Sequence, residues 1–136
     1  MKSDFEKALR ESLFSEIKNR NGCNLQCVES LGSTWIKDDE LTTEFRYTAL
    51  ANRLIVSRVA FKNRHRGCMT TCFEILKHFA TNLNYDIIVI QSVETCEMMQ
   101  WCLKMGFTAP SCNFMTRDSQ GRSVLLGDYH YVIKDH

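Results

Sequence analysis

A strand, loop, helix and strand in the middle of the chain constrain the fold most. Residues 54–61 (LIVSRVAF) have the β-branched, apolar composition of a strand. After a loop at 62–67, apolar residues recur at helical spacing from Cys72 to Leu83. Residues 87–90 (IIVI) then form a continuous aliphatic run, typical of a strand buried on both faces. This order predicts a parallel βαβ unit with a right-handed crossover.

The chain before this unit predicts a helix followed by an antiparallel meander. Ser3 and Glu6 form a capping box, and Phe5, Leu9, Leu13 and Ile17 recur at every fourth position until Asn21 and Gly22 end the helix. Short β-rich segments follow, separated by Gly32 and by an acidic turn at 38–40. The predicted strands lie at residues 25–31, 34–37, 41–50 and 54–61.

The chain after the unit predicts a second helix and a return to strands. Met98, Trp101, Cys102 and Met105 have helical spacing, and Gly106 is a typical residue to end a helix. A hairpin turn is predicted at 118–121, with residues 124–126 and 129–133 bordering the end of the sheet. Together these elements predict one α+β (mixed α/β) domain over residues 1–136.

Composition narrows the classes of function. Lys and Arg number 17 against 16 Asp and Glu, so the net charge of +1 provides no general attraction to nucleic acid or to an anionic membrane. No apolar run approaches the roughly 20 residues of a membrane-spanning helix. The acidic start of the chain is unlike a signal peptide, so we expect a cytoplasmic protein. The seven cysteines include no CxxC pair, and we expect reduced, mostly buried thiols and no metal site.

The loop at 62–67 is a candidate anion site. It places Lys62, Arg64 and Arg66 where a strand meets a helix N-terminus, whose free N–H groups and dipole favour a phosphate. Gly67 allows the backbone to approach such a group closely. The ATP-binding pattern GxxxxGK[ST] and the dinucleotide pattern GxGxxG are both absent. The alternative is a solvated basic turn.

Two segments together resemble the GNAT acetyltransferase superfamily. Residues 64–69 (RHRGCM) are similar to its acetyl-CoA motif, [Q/R]-x-x-G-x-[G/A], with Arg64 and Gly67 at the first and fourth positions and Met69 in place of glycine or alanine. Residues 97–107 (EMMQWCLKMGF) are similar to the family's helix ending in lYeklGF. The two motifs follow the family's order and spacing, with a buried strand between them.

The resemblance implies a central mixed sheet, mostly antiparallel, with a splayed parallel pair and flanking helices. It implies that acetyl-CoA, as cosubstrate, places its pantetheine in the splay beside Ser57, Arg58 and Val59. The pyrophosphate would then lie on backbone N–H groups from Arg66 to Thr71, and a backbone N–H of residues 57–59 would polarise the acetyl carbonyl. The implied cofactor-binding residues are Ser57, Arg58, Val59, Arg64, His65, Arg66, Gly67, Cys68, Met69, Thr70, Thr71 and Thr95.

The resemblance also suggests catalytic residues. Cys102 occupies the position of the tyrosine that protonates the leaving thiolate in many family members, although a small buried core residue is the alternative. Glu44, Glu94 and His130 are candidates for the general base. A solvated surface carboxylate is the alternative for each glutamate, and a hydrogen-bonded structural histidine for His130. Thr95 is a candidate N-cap of the second helix.

The leading functional hypothesis is therefore an N-acetyltransferase that moves an acetyl group from acetyl-CoA to a primary amine in a ternary complex. The acidic triplet at 38–40 would attract a cationic amine, or is only a polar turn. One alternative is a non-catalytic acyl-CoA-binding or protein-interaction module on the same fold. A nucleic-acid-binding protein that uses residues 62–66 is a further alternative, although we expect no specific nucleic acid partner. We expect a monomer or a homodimer and no membrane association.

Overall fold

The computed structural model describes residues 2–22, 24–63, 67–111 and 114–135. Its helices and strands agree in order with those predicted from the sequence. They are α1 (Lys2–Asn21), β1 (Gln26–Ser30), β2 (Ser33–Lys37), β3 (Glu44–Leu50), β4 (Arg53–Ala60), α2 (Cys68–Asn82), β5 (Ile87–Val93), α3 (Cys96–Lys104), β6 (Met115–Arg117), β7 (Ser123–Leu125), β8 (Gly127–Val132) and a 3₁₀ turn (Ile133–Asp135).

Six strands form one mixed sheet in the order β1-β2-β3-β4-β5-β8. Strands β1 to β4 form the predicted antiparallel meander, and β8 pairs antiparallel with β5. Strands β4 and β5 are parallel, with α2 between them in the chain, so the predicted βαβ unit is confirmed. The sheet is therefore mostly antiparallel with a single parallel pair.

The parallel pair separates at the carboxyl ends of its strands. Pairing runs from Arg53 with Ile87 to Val56 with Ile90, whereas β4 continues to Ala60 and β5 to Val93. On its other side β4 follows β3 to the end, through a bulge. The predicted splay between these two strands is thus confirmed, and its apex lies at Val56 and Ile90.

The core lies between one face of the sheet and helices α1 and α2. Leu9, Leu13 and Ile17 are all buried, because residues four apart share one face of a helix. Each such side chain stabilises the fold by roughly 1.5–3 kcal/mol. Phe5, the first residue of the predicted stripe, is 40% exposed. The sheet and α2 supply the other side of this core through Ile36, Phe45, Val56, Ile88, Cys72, Phe73 and Leu76.

The late strands differ in part from the prediction. The turn at 118–121 forms as expected, because the Asp118 carboxylate accepts the backbone N–H groups of Gln120 and Arg122 at 2.9 Å each. However, β6 and β7 make a separate two-stranded sheet, so residues 124–126 do not border the main sheet and only β8 does. Gly127 causes the change of direction: its φ is +133°, and a Cβ there would lie 2.9 Å from Pro110.

Two further observations concern the whole described chain. Five described cysteines are free thiols, and all of them except Cys27 are buried, in line with the expectation of reduced, mostly buried thiols. Among the described residues, no helix combines the length and apolarity needed to cross a bilayer.

Candidate functional site

The N-terminus of α2 presents backbone donors that have no acceptor among the described residues. Gly67 is the N-cap residue and adopts a left-handed conformation (φ 76°, ψ 7°), and no described side chain caps the helix there. The first backbone hydrogen bond of the helix runs from Thr71 N to the Gly67 carbonyl at 3.0 Å. The N–H groups of residues 68–70 therefore have no acceptor within the helix, and they coincide with the positive end of its dipole.

The side chains of this first turn point toward the protein. Cys68 is buried, and Met69 is partly buried and packs against the core. Thr70 Oγ1 accepts the indole N–H of Trp101 at 3.1 Å, and Thr71 Oγ1 donates to the Gly67 carbonyl at 3.2 Å. The backbone is consequently the part of this turn that can contact an anion. The predicted contacts Arg64, His65 and Arg66 lie outside the described residues.

The first two turns of α2 also contain a pair of thiols. Cys68 and Cys72 interact through their sulfur atoms, and the Asn21 side chain lies 3.7 Å from the Cys68 sulfur. The hydrogen bond between the thiols lowers the pKa of Cys68 and raises the pKa of Cys72, and burial raises Cys72 further. Cys68 is therefore the thiol of the pair that ionises first.

The splayed end of β4 contains a bulge at Ser57. Tyr47 of β3 pairs with Val56, and the preceding residue, Arg46, pairs with Arg58, which leaves Ser57 as an extra residue on β4. Beyond Val56 the β5-facing edge of β4 has no strand partner within the described chain. Such an edge offers N–H and C=O groups to an extended ligand. The predicted pantetheine-binding stretch, 57–59, coincides with this open edge.

Helix α3 carries the second sequence motif and packs against α2, which begins in the first motif. Thr95 is its N-cap and accepts the Met98 N–H at 3.2 Å, as predicted. At the other end, Gly106 has a φ of +95°, and the Phe107 N–H reaches the Cys102 carbonyl at 2.9 Å. Phe73 of α2 contacts Phe107 at 5.0 Å between ring centroids. This contact and the Trp101–Thr70 hydrogen bond hold α3 against the N-terminal half of α2.

Cys102 is completely buried on α3, at 0% exposure. Burial raises the pKa of its thiol to about 12, so the thiol stays protonated at physiological pH. A general acid must be protonated, but a thiol with so high a pKa gives its proton to a leaving thiolate less readily than an ordinary thiol does. Complete burial is what the packing alternative requires. The acid role of Cys102 stays a prediction.

The candidate bases occupy three different environments. Glu44 begins β3 and is 7% exposed, and its carboxylate lies 3.6 Å from Arg58 Nε at the splayed end of the sheet. Glu94 is exposed, directly before α3. His130 is half-buried and pairs with Val89, within the part of the sheet where β4 and β5 remain together. Glu44 thus lies beside Arg58 on a neighbouring strand, and Glu94 directly precedes Thr95 in the chain, so each glutamate adjoins another candidate site residue.

The acidic turn lies at this same end of the sheet. Asp38 accepts the N–H of Thr42 at 2.9 Å and also the Thr42 hydroxyl, which holds the pKa of Asp38 below its usual value. Thr43 Oγ1 accepts the N–H of Lys62 at 3.2 Å and so joins the acidic turn to the basic loop. Asp38 therefore organises the turn, while Asp39 and Glu40 are exposed.

Sequence reasoning did not assign a site role to the last turn of α1. Asn21 is 7% exposed and hydrogen-bonds to the backbone N–H of Asn63, 42 positions later. In the sequence Asn21 is only part of an Asn-Gly helix end, and no local pattern marks it as buried.

Two other features of the described chain bear on where a ligand binds. A cavity of about 500 Å³ opens at the opposite end of the sheet, between the start of α1 and the end of α2, so it is separate from the splay. No group of three or more His, Cys, Asp or Glu side chains in the described segments is arranged to hold a metal ion.

Comparisons with known proteins identify the fold. No family model matches the sequence, and no curated protein matches it significantly. A protein assigned to the acetyltransferases from Agrobacterium tumefaciens has a TM-score of 0.54 at 16% identity, covering 93% of this chain and 90% of its own. A protein assigned to the GNAT family from Chromobacterium violaceum has a TM-score of 0.54 at 12% identity, covering 78% and 62%. The PaiA N-acetyltransferase of Thermoplasma acidophilum, solved with coenzyme A, has a TM-score of 0.52 at 12% identity, covering 74% and 59%.

The chain thus spans only 62% and 59% of the length of the last two structures. The likeness nevertheless extends over most of this chain, and it includes the mixed sheet with one parallel pair that the sequence predicted. The chain has the fold of the GNAT-family acetyltransferases.

Proposed function

We propose that this chain is an N-acetyltransferase that transfers the acetyl group of acetyl-CoA directly to a primary amine in a ternary complex. The observation that carries the proposal is the separation of β4 from β5 after Val56 and Ile90, next to the uncapped N-terminus of α2. An open strand edge and a phosphate-binding helix end are then adjacent, as an extended ligand with a pyrophosphate at one end requires. The PaiA enzyme of the same fold was solved with coenzyme A.

The residues present fit such a ligand. The pyrophosphate would lie on the N–H groups of residues 68–70, where Gly67 has no side chain to obstruct it. Arg64, His65 and Arg66 precede this turn and would add charge-assisted contacts. The pantetheine arm would follow the open edge of β4 at 57–59. Thr95, at the start of α3, would complete the site from the side of β5.

The chain's own groups would then perform three tasks. Glu44 would take the proton from the ammonium group, so that the neutral amine attacks the acetyl carbonyl carbon. A backbone N–H of residues 57–59 would stabilise the oxyanion as the new C–N bond forms. The C–S bond then breaks, and coenzyme A leaves as a thiolate that takes up a proton from water or, in the general-acid alternative, from Cys102. Glu94 would take the place of Glu44 if the base acts through a water molecule.

The exposed acids of the turn, Asp39 and Glu40, would favour a cationic acceptor. They lie at the splayed end of the sheet, joined to the basic loop through Thr43 and Lys62. A local negative potential raises the concentration of a cation near the site and speeds its association. We therefore propose a lysine side chain, a polyamine or a protein N-terminus as the class of acceptor.

Titration calorimetry with acetyl-CoA tests the binding half of this proposal, and a thiol-release screen against pools of amines tests the chemistry. We expect saturable binding and amine-dependent release of coenzyme A. No binding at millimolar acetyl-CoA would contradict the proposed function. Saturable binding without turnover on any amine would favour the non-catalytic acyl-CoA-binding module, which the burial of Cys102 and the presence of Met69 also support.

The nucleic-acid alternative makes a separate prediction. If residues 62–66 bound nucleic acid, association would weaken steeply with salt. We expect only weak binding of duplex DNA or RNA at physiological salt, displaced by acetyl-CoA. Tight, salt-sensitive binding that acetyl-CoA does not displace would contradict the assignment of this loop to the cofactor. A cytoplasmic location and a monomeric or homodimeric state also remain predictions.

A further inference from the structure

The side chain of Asn21 joins three segments of the chain. Its Nδ2 donates to the Ile17 carbonyl at 3.0 Å, within α1. The same nitrogen lies 3.7 Å from the sulfur of Cys68, in the first turn of α2. Its Oδ1 accepts the backbone N–H of Asn63 at 3.0 Å. Asn21 is one of the few buried polar residues of the described chain, and each end of its amide has a partner.

The side chain of Asn63 also hydrogen-bonds to the end of α1. Its own Nδ2 donates to the Arg20 carbonyl at 2.5 Å, so two asparagines hydrogen-bond to each other's segment in both directions. The neighbouring Lys62 N–H is held by Thr43 Oγ1 at 3.2 Å. The strand side of the basic loop is consequently anchored at two consecutive residues, and its helix side begins at Gly67 and Cys68.

The side chain of Asn21 contacts the core at Cys68. The packing of α1 against the sheet and α2 comes from the buried side chains of Leu9, Leu13 and Ile17. The last turn of α1 also places Arg20 Nη1 3.8 Å from the position that a Cβ on Gly67 would take. The end of α1 thus lies directly against the turn proposed to bind the pyrophosphate.

We propose that Asn21 is a positioning residue for the phosphate-binding turn at the N-terminus of α2, an inference that rests on the proposed function. A turn whose flanking residues are fixed before the ligand arrives loses less conformational entropy on binding. Asn21 provides this restraint through Asn63 on the strand side and Cys68 on the helix side, so its removal weakens the contacts of the phosphates. The pantetheine arm, which follows β4, does not depend on this restraint.

The test compares Asn21→Ala with Asn52→Ala. Asn52 is a matched control, because its Nδ2 also joins distant segments, donating to Asp86 at 2.7 Å, but at the opposite end of the sheet. Binding of coenzyme A and of pantetheine, which lacks every phosphate, is measured by calorimetry for each variant. We expect Asn21→Ala to bind coenzyme A about tenfold more weakly and pantetheine as the wild type does. Asn52→Ala should bind both ligands normally.

Amide hydrogen exchange supplies an independent readout without ligand. The Asn63 N–H should exchange about tenfold or more faster in Asn21→Ala, because its acceptor is gone. If Asn21→Ala does not fold, Asn63→Ala replaces it, since Asn63 is exposed and its variant loses only the bond to the Arg20 carbonyl. The same selective loss of coenzyme A affinity is expected there.

The outcomes separate this inference from the proposed function. Unchanged coenzyme A affinity in Asn21→Ala, or an equal loss for coenzyme A and pantetheine, overturns the positioning role while the proposed function stands. A wild-type chain that binds neither ligand overturns the proposed function, and the positioning role with it.

Discussion

The carboxylate of Glu44 lies 3.6 Å from Nε of Arg58, across the pair of strands that leads into the splay. Glu44 is 7% exposed, whereas the Arg58 side chain extends into solvent at 66% exposure. A shielded carboxylate whose partner is exposed to solvent remains available to a second cation, such as an incoming ammonium group. This relationship distinguishes Glu44 from Glu94, which is exposed.

The first prediction concerns these two glutamates. Glu44→Gln removes the proton acceptor and keeps the shape of the side chain, so we expect turnover to fall by about 10²–10⁴-fold. Affinity for acetyl-CoA should change little. Glu94→Gln is the control and should retain most of the activity. Steady-state kinetics on both variants check this, and the reverse order of effects would assign the base to Glu94.

The second prediction concerns Gly67. Gly67→Val forces a β-branched residue into a φ of +76°, which costs roughly 1–3 kcal/mol of stability, and it places a side chain on the turn that contacts the phosphates. Gly32→Val is a matched control, because Gly32 has a φ of +81° and open space around it in the β1–β2 turn. Both variants should be destabilised similarly, but only Gly67→Val should lose acetyl-CoA binding. Normal binding by Gly67→Val would show that the loop is wrongly assigned.

The third prediction concerns the role of Cys102. Its complete burial leads us to expect that Cys102→Ala costs about 1 kcal/mol of stability, as small truncations in a core do. Turnover per folded molecule should then be unchanged, with backbone polarisation and positioning supplying most of the rate. A general-acid role instead requires turnover to fall by about 10²–10⁴-fold with little change in cofactor affinity. Turnover and melting temperature measured on one sample decide between the two.

The fourth prediction concerns alkaline pH. The folded chain holds the Cys102 proton up to about pH 12, whereas an unfolded thiol ionises near about pH 8.5. Between these values the folded state binds more protons, so stability falls as pH rises, by up to about 1.4 kcal/mol per unit. Cys102→Ala lacks this contribution, so its stability deficit of about 1 kcal/mol relative to the wild type should shrink above about pH 8.5 and disappear by about pH 10.

Urea unfolding at about pH 7 and at about pH 10 measures this deficit. Val124→Ala is the control, because Val124 is also 0% exposed and does not titrate, so its deficit should stay constant. A Cys102→Ala deficit that is equally constant would contradict the assigned burial of the thiol.

The residues of the chain, taken without any structure, were sufficient to predict most of the architecture. The helical periodicity of Leu9, Leu13 and Ile17 and the aliphatic run at 87–90 are local signals, because burial repeats with the period of the helix or strand itself. The order of elements and the parallel βαβ unit followed from these signals. The pairing of the late strands was harder to predict from the sequence. The turn at Gly127 and its contact with Pro110 determine whether residues 124–126 or 129–133 join β5.

Only the tertiary structure decided the geometry of the site. It set the last parallel pair at Val56 and Ile90, the bulge at Ser57 and the contact of Glu44 with Arg58. It also brought Asn21 to Asn63, 42 positions away. These features depend on which distant segments pack together, and the local sequence around a residue does not indicate those long-range contacts. The motif residues could therefore be named from the sequence, whereas the residues that hold them in place had to be found in the fold.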